Sequence, residues 1–127
     1  MIVIAGDGGI GYHVADLETA LRCDLPVVVV VGQDGAWGIE QSLQTGVYGG
    51  GAEFTSDLTG TDFTLVARGF GVAAVRADGP EALEGALSDA IAARRPWLVQ
   101  VAIQNRRSSG TDRLIQSLRA EVERQPG

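Results

Sequence analysis

Two aspartates, each set among glycines, are the residues of this chain best suited to do chemistry. Asp7 stands in Gly6-Asp7-Gly8-Gly9, and Asp34 in Gly32-Gln33-Asp34-Gly35. Carboxylate oxygens are hard ligands. Mg2+ usually takes one or two of them and fills its shell with carbonyl, water and substrate phosphate oxygens. Glycine has no Cβ, so the backbone N–H groups at Gly8 and Gly9 can approach a phosphate closely. A helix starting near His13 would add unpaired N–H donors and a dipole that favours an anion. Asp-Gly is also an ordinary turn former, and either loop alone would carry little. The two together, each directly after an apolar strand, point to a shared anion-and-metal site.

Those strands can be read from the residues before each loop. Residues 2–5 (Ile-Val-Ile-Ala) form a β-branched run stopped by Gly6, and residues 27–31 are five valines in a row. A strand apolar on both faces belongs to a parallel sheet covered by helices on each side. Between the two, Val14, Leu17, Ala20 and Leu21 recur at helical spacing and predict a helix over 14–22. Ligands of open α/β sheets bind beyond the carboxyl ends of the strands. If these two strands are neighbours, Asp7 and Asp34 converge there.

Downstream, a short helix is expected over 39–45. An irregular Gly- and Thr-rich stretch follows over 46–61, with Tyr48 and Phe54 as its aromatic anchors. A helix over 63–70 leads to a strand over 72–76. Pro80 then opens a helix whose stripe is Leu83, Leu87, Ala90 and Ile91. The last strand covers 97–103, and Leu114, Ile115, Leu118 and Val122 mark a final amphipathic helix over 111–124. The order β-α-β-loop-α-β-α-β-α predicts an α/β fold with an open, mostly parallel sheet and helices on both faces. A binding domain over 1–105 and a tail over 106–127 are the expected divisions.

Composition narrows the function classes. A net charge of -6 over 127 residues argues against a nucleic-acid partner, which needs clustered Lys and Arg. No apolar run approaches the ~20 residues that span a bilayer, so no membrane role is expected. The single cysteine, Cys23, cannot form an internal disulfide, which fits a reducing cytoplasm.

The segment GDGGIGYHVADLETALRCDLPVVVVVGQDGAWGIEQ resembles the thiamine-diphosphate-binding motif of the acetolactate synthase, benzoylformate decarboxylase and pyruvate decarboxylase superfamily. That motif opens with GDG and closes further on with an Asn-Asn or Asn-Asp pair. TDFTLVARGFGVAAVRADGPEALEGALSDAIAARRPWLVQVAI is similar to the family's closing segment, with its DF-x-x-x-A-x-x-x-G helix. The resemblance covers about residues 2–103. It implies that Asp7, Asp34 and the Ala36 carbonyl bind Mg2+, which bridges the cofactor diphosphate. Gly8, Gly9 and Ile10 would face that diphosphate, with Trp37 and Gly38 beside it. Glu40, Leu43 and Gln44 fall on the segment that lines the substrate pocket in relatives. AWGIEQ looks most like acetolactate-synthase-like and 2-hydroxyacyl-CoA-lyase-like members.

The pattern is not complete. Gln33 and Asp34 stand where many members have Asn-Asn, and Gly9 replaces a frequent Ser. The family's first strand and helix lie before GDG, and its pyrimidine-binding domain carries the Glu that activates the cofactor. Neither is present in these residues, and Glu18 and Glu40 are not placed to replace that Glu, so no catalytic residue is assigned. The resemblance therefore implies part of a 2-oxo acid carboligase or decarboxylase, inactive alone. It would work with a pyrimidine-binding domain or subunit in a homo- or hetero-oligomer. The alternatives are a non-catalytic truncated remnant, part of a 2-hydroxyacyl-CoA-lyase-like enzyme, or an α/β domain whose loops are turns only. His13 reads as a cap or surface residue, Arg106 and Arg107 as a solvated turn, and Trp97 as the start of the last strand.

Overall fold

The computed structural model describes residues 1–50, 56–106 and 108–124, so the expected anchor Phe54 and the basic Arg107 lie outside the described residues. The chain divides into two compact units. One comprises Met1–Asp34 and Gly60–Gln104, the other Gly35–Thr59 and Asn105–Gly127.

The first unit is a four-stranded parallel sheet. Its strands are β1 (Ile2–Gly6), β2 (Val28–Gln33), β3 (Ala73–Ala77) and β4 (Trp97–Ala102), in the order β1-β2-β4-β3. The valine run lies in the interior of the sheet, as its two apolar faces require. Val29 and Val31 face one way and pack with Leu98, Ile10, Leu17, Phe63 and Ala67. Val28 and Val30 face the other way and pack with Val99, Ala77 and Ala90. Helices α1 (Asp7–Gly11), α2 (Asp16–Arg22) and α4 (Phe63–Gly69) supply the first layer, and α5 (Pro80–Ala92) supplies the second. The sheet is thus covered on both faces.

Two local differences from the sequence reading matter for the site. The Gly6-Asp7-Gly8-Gly9 segment is not a free turn: helix begins at Asp7 itself, with Gly6 as its extended N-cap. A carboxylate in a first helical turn is favoured by the unpaired N–H groups there, which explains the early start. Helix α3 (Gly38–Tyr48) also runs three residues past the expected end at Thr45. The reason is packing in the second unit, where Gly46 lies against Ile115 of α6 (Ser109–Val122). A Cβ at Gly46 would fall 2.6 Å from Ile115 Cδ1, so glycine is what lets the two helices meet.

Helix α4 starts at Phe63, as expected, with Asp62 as its N-cap. Asp62 accepts hydrogen bonds from the Thr64 and Leu65 backbone N–H groups, at 2.9 and 3.2 Å, and from Thr64 Oγ1 at 2.6 Å. Phe63 and Ala67 are buried, and Gly71 takes φ +85, a left-handed conformation that suits glycine.

The two edges of the sheet differ. At β3, Arg76 is exposed and Arg68 Nη2 donates to the Ala74 carbonyl at 2.9 Å, a charged edge of the kind that resists pairing. At β1 the edge is apolar, with Ile2, Val3 and Ile4 exposed at 51%, 38% and 81%. Among the described residues no helix is long and apolar enough to cross a membrane.

Two outcomes follow. The isolated chain should self-associate through β1, seen as concentration-dependent light scattering, and Ile4→Lys should lower that association. A wild type that stays monomeric at high concentration would contradict this reading of the edge. The Thr64 hydroxyl bond, aided by the two backbone N–H groups, holds the Asp62 carboxyl below its ordinary value. Its stabilising effect is therefore present above the ordinary carboxylate range and is lost as pH falls through the lowered value. Asp62→Ala should cost about 1 kcal/mol at neutral pH. In urea melts the gap to wild type should close below about pH 4.

Candidate functional site

The parallel pairing of β1 and β2 sets Gly6 opposite Gly32 at the carboxyl edge of the sheet. Neighbouring strands lie about 4.8 Å apart. Asp7 follows one residue beyond this pair and Asp34 two residues beyond, so both carboxylates arise from adjacent strand ends. Asp7 is 4% exposed, and its Oδ1 accepts the Gly8 backbone N–H at 3.0 Å. Asp34 is half-buried. Withdrawing a carboxylate from water this far is unfavourable without compensating donors or a cation.

The glycine backbone beside Asp7 is accessible. Gly9 is exposed, and a Cβ built on it would meet no atom within 4 Å. Ile10 behaves differently: its side chain is buried in the core with Val29 and Val31, so it presents backbone rather than side chain to that edge. Among the described residues, no group of three or more His, Cys, Asp or Glu side chains is arranged to hold a metal ion. A cation here would rest on two carboxylates and complete its shell with carbonyl, water and phosphate oxygens. That donor set suits Mg2+ carrying a diphosphate.

Asp34 is preceded by a hydrogen-bonded relay that sequence reasoning missed. Gln100 is 1% exposed on the central strand β4. Its Oε1 accepts the Phe63 backbone N–H at 2.8 Å, and its Nε2 donates to Gln33 Oε1. Gln33 Nε2 in turn donates to the Thr61 carbonyl at 2.8 Å. Leaving the buried Gln100 amide or the Phe63 N–H unpaired costs about 1–3 kcal/mol, which favours keeping this end of the relay closed. The signal for it was a lone amide in the otherwise apolar run WLVQVAI.

In the second unit, Gly35 takes φ +75, a conformation that glycine adopts readily. Ala36 is buried and forms an antiparallel bridge with Asp57, flanked by Leu58 N–H to the Gly35 carbonyl and Trp37 N–H to the Ser56 carbonyl. Trp37 is half-buried at the N-cap of α3. The Gly38 carbonyl accepts from Asn105 Nδ2 at 3.2 Å, a tether that the sequence did not suggest. Leu43 and Gln44 line a groove of about 240 Å³ with Tyr48, Leu118 and Val122, and Gln44 Oε1 accepts the Ser56 hydroxyl. Glu40 is exposed and does not line that groove.

Of the remaining candidates, His13 is exposed, with its Nδ1 3.3 Å from Asp16 Oδ2, and the N-cap of α2 is Ala15 rather than His13. Cys23 is exposed. Trp97 opens β4 beneath the Arg95 guanidinium, 5.5 Å from its ring centre. A trough of about 670 Å³ lies beside β1, lined mainly by apolar groups such as Val3, Ala5, Leu17 and Leu25.

Against this geometry, residues 1–101 match the family model of the thiamine pyrophosphate enzyme, C-terminal TPP binding domain. The benzoylformate decarboxylase of Pseudomonas aeruginosa is 38% identical over 104 residues, which are 82% of this chain and 20% of that protein. The 2-hydroxyacyl-CoA lyase of Oryza sativa subsp. japonica is 30% identical over 107 residues, 81% of this chain and 18% of that protein. The solved thiamine diphosphate-dependent 4-hydroxybenzoylformate decarboxylase of Rhodococcus jostii RHA1 superposes with a TM-score of 0.77 at 28% identity. The match covers 84% of this chain and 20% of that one. The chain thus spans about a fifth of the length of the relatives it matches.

Proposed function

Because this chain belongs to the thiamine pyrophosphate enzymes, as their C-terminal TPP-binding domain, we propose that it grips the cofactor diphosphate through Mg2+ held by Asp7, Asp34 and the Ala36 carbonyl. Gly8, Gly9 and the Ile10 backbone would contact the diphosphate, with Trp37 and Gly38 beside it. The observation that carries this reading is the register of β1 on β2, which starts both aspartate loops at one edge of the sheet. The buried Asp7 and the open backbone at Gly9 support it.

Thiamine diphosphate, when bound, supplies the carbanion chemistry. This chain's share is to neutralise and orient the diphosphate. Residues 1–105 are the binding region in this reading and 106–127 a tail, with Glu40, Leu43 and Gln44 as candidate substrate-facing residues. Activation of the cofactor falls to a Glu on a pyrimidine-binding domain or subunit, so the chain is inactive alone and works in an oligomer. The whole assembly acts on a 2-oxo acid, by decarboxylation or carboligation. The decarboxylase relative, at 38% identity, favours the former.

Titration calorimetry with thiamine diphosphate and Mg2+, for the chain alone and with a pyrimidine-binding partner, tests the site. Asp7→Ala and Asp34→Ala should each weaken binding at least tenfold, about 1.4 kcal/mol. Equal heats from wild type and both variants would overturn the assignment.

A further inference from the structure

The side chain directly before Asp34 is committed to a relay that begins and ends in one turn. Phe63 N–H can only donate, so the atom of Gln100 that meets it must be the oxygen. The Gln100 nitrogen then points at Gln33 and requires an oxygen there. That leaves the Gln33 nitrogen to donate to the Thr61 carbonyl. The two backbone ends therefore fix both amide orientations, with no alternative flip. Thr61 and Phe63 flank Asp62, the cap of α4, so the relay ties the carboxyl ends of β2 and β4 to the start of that helix. The Ile103 N–H adds a further bond to the Gln33 carbonyl at 2.9 Å. Gln33 is thus held through both its side chain and its backbone.

We propose that Gln33 and Gln100 are positioning residues for the metal site, acting through Asp34. The inference rests on the reading of Asp34 as a ligand. Fixing Gln33 fixes the point from which the Asp34 loop departs, so the carboxylate meets the cation with its backbone already set. Neutral amides do this without adding a third negative charge beside the two carboxylates. Groups that orient metal ligands in this way typically change metal affinity 10–100-fold when removed.

The test measures, for the 127-residue chain, the Mg2+ concentration that half-saturates thiamine diphosphate binding, and separately the thermal midpoint without either ligand. Gln33→Ala, at a half-buried position, and Gln100→Leu should each raise the half-saturating Mg2+ about 10–100-fold. The double variant should be no worse than the weaker single variant, because one relay is lost either way. Should Gln100→Leu fail to fold, Gln33→Ala alone decides. Variants that lower the thermal midpoint but leave the Mg2+ requirement unchanged would overturn the positioning role. If Asp34→Ala abolishes binding while both glutamine variants match wild type, the relay inference fails and the site stands. If wild type shows no Mg2+-dependent binding either alone or with a pyrimidine-binding partner, or Asp34→Ala matches it, the site reading fails and the relay inference with it.

Discussion

The pairing of β1 with β2, Gly6 against Gly32, is the constraint on which the rest of the molecule depends. Parallel strands deliver their following loops to the same edge, so this one ladder brings both aspartates out together. A slip of one residue would turn every side chain to the opposite face. Five consecutive valines make such a slip cheap in hydrophobic terms, because both faces of the run are equally apolar. The register of β2 must therefore be fixed at its end. There Gly32 leaves room for Ile103, whose Cδ1 would stand 2.9 Å from a Cβ, and Gln33 bonds to Gln100 across the sheet. The residues that pin the strand are the ones that introduce the aspartate loop.

The same arrangement would couple the proposed site to the sheet edge. Asp7 extends from the strand with the most exposed apolar side chains, whereas Asp34 extends from a strand paired on both sides. A cation shared by the two carboxylates would link the edge strand β1 to β2, which is paired on both sides. Binding to the folded form alone stabilises it by mass action, so cofactor and sheet edge would support each other.

Much of this was legible in the residues. The apolar strands, the Pro-initiated α5 and the glycine-closed helix α4 follow from periodicity and end signals, which are local; the Asp62 cap of α4 is not read from them. The parallel sheet follows from the alternation of elements. What escaped was long-range. The full length of α3 depends on Ile115, far along the chain; the start of helix at Asp7 is the local exception, its carboxylate accepting the N–H of the next residue. Gln100 stood out as a lone amide in an apolar strand, but its partners lie 37 and 67 positions away. Asn105 gave no signal before its contact with Gly38 was seen. The two aspartates stand out because each carries its own local context of strand and glycine; the relay behind one of them has no such context.

The most direct measurement is a crystal structure of the chain, alone or with a pyrimidine-binding partner, grown with thiamine diphosphate and with Mn2+ in place of Mg2+. Its anomalous signal would locate the metal independently of the ligand density. A single peak bonded to carboxylate oxygens of both Asp7 and Asp34, and to the diphosphate, is the predicted result. Diphosphate bound with no metal at these carboxylates, or metal bound elsewhere on the chain, would contradict the account.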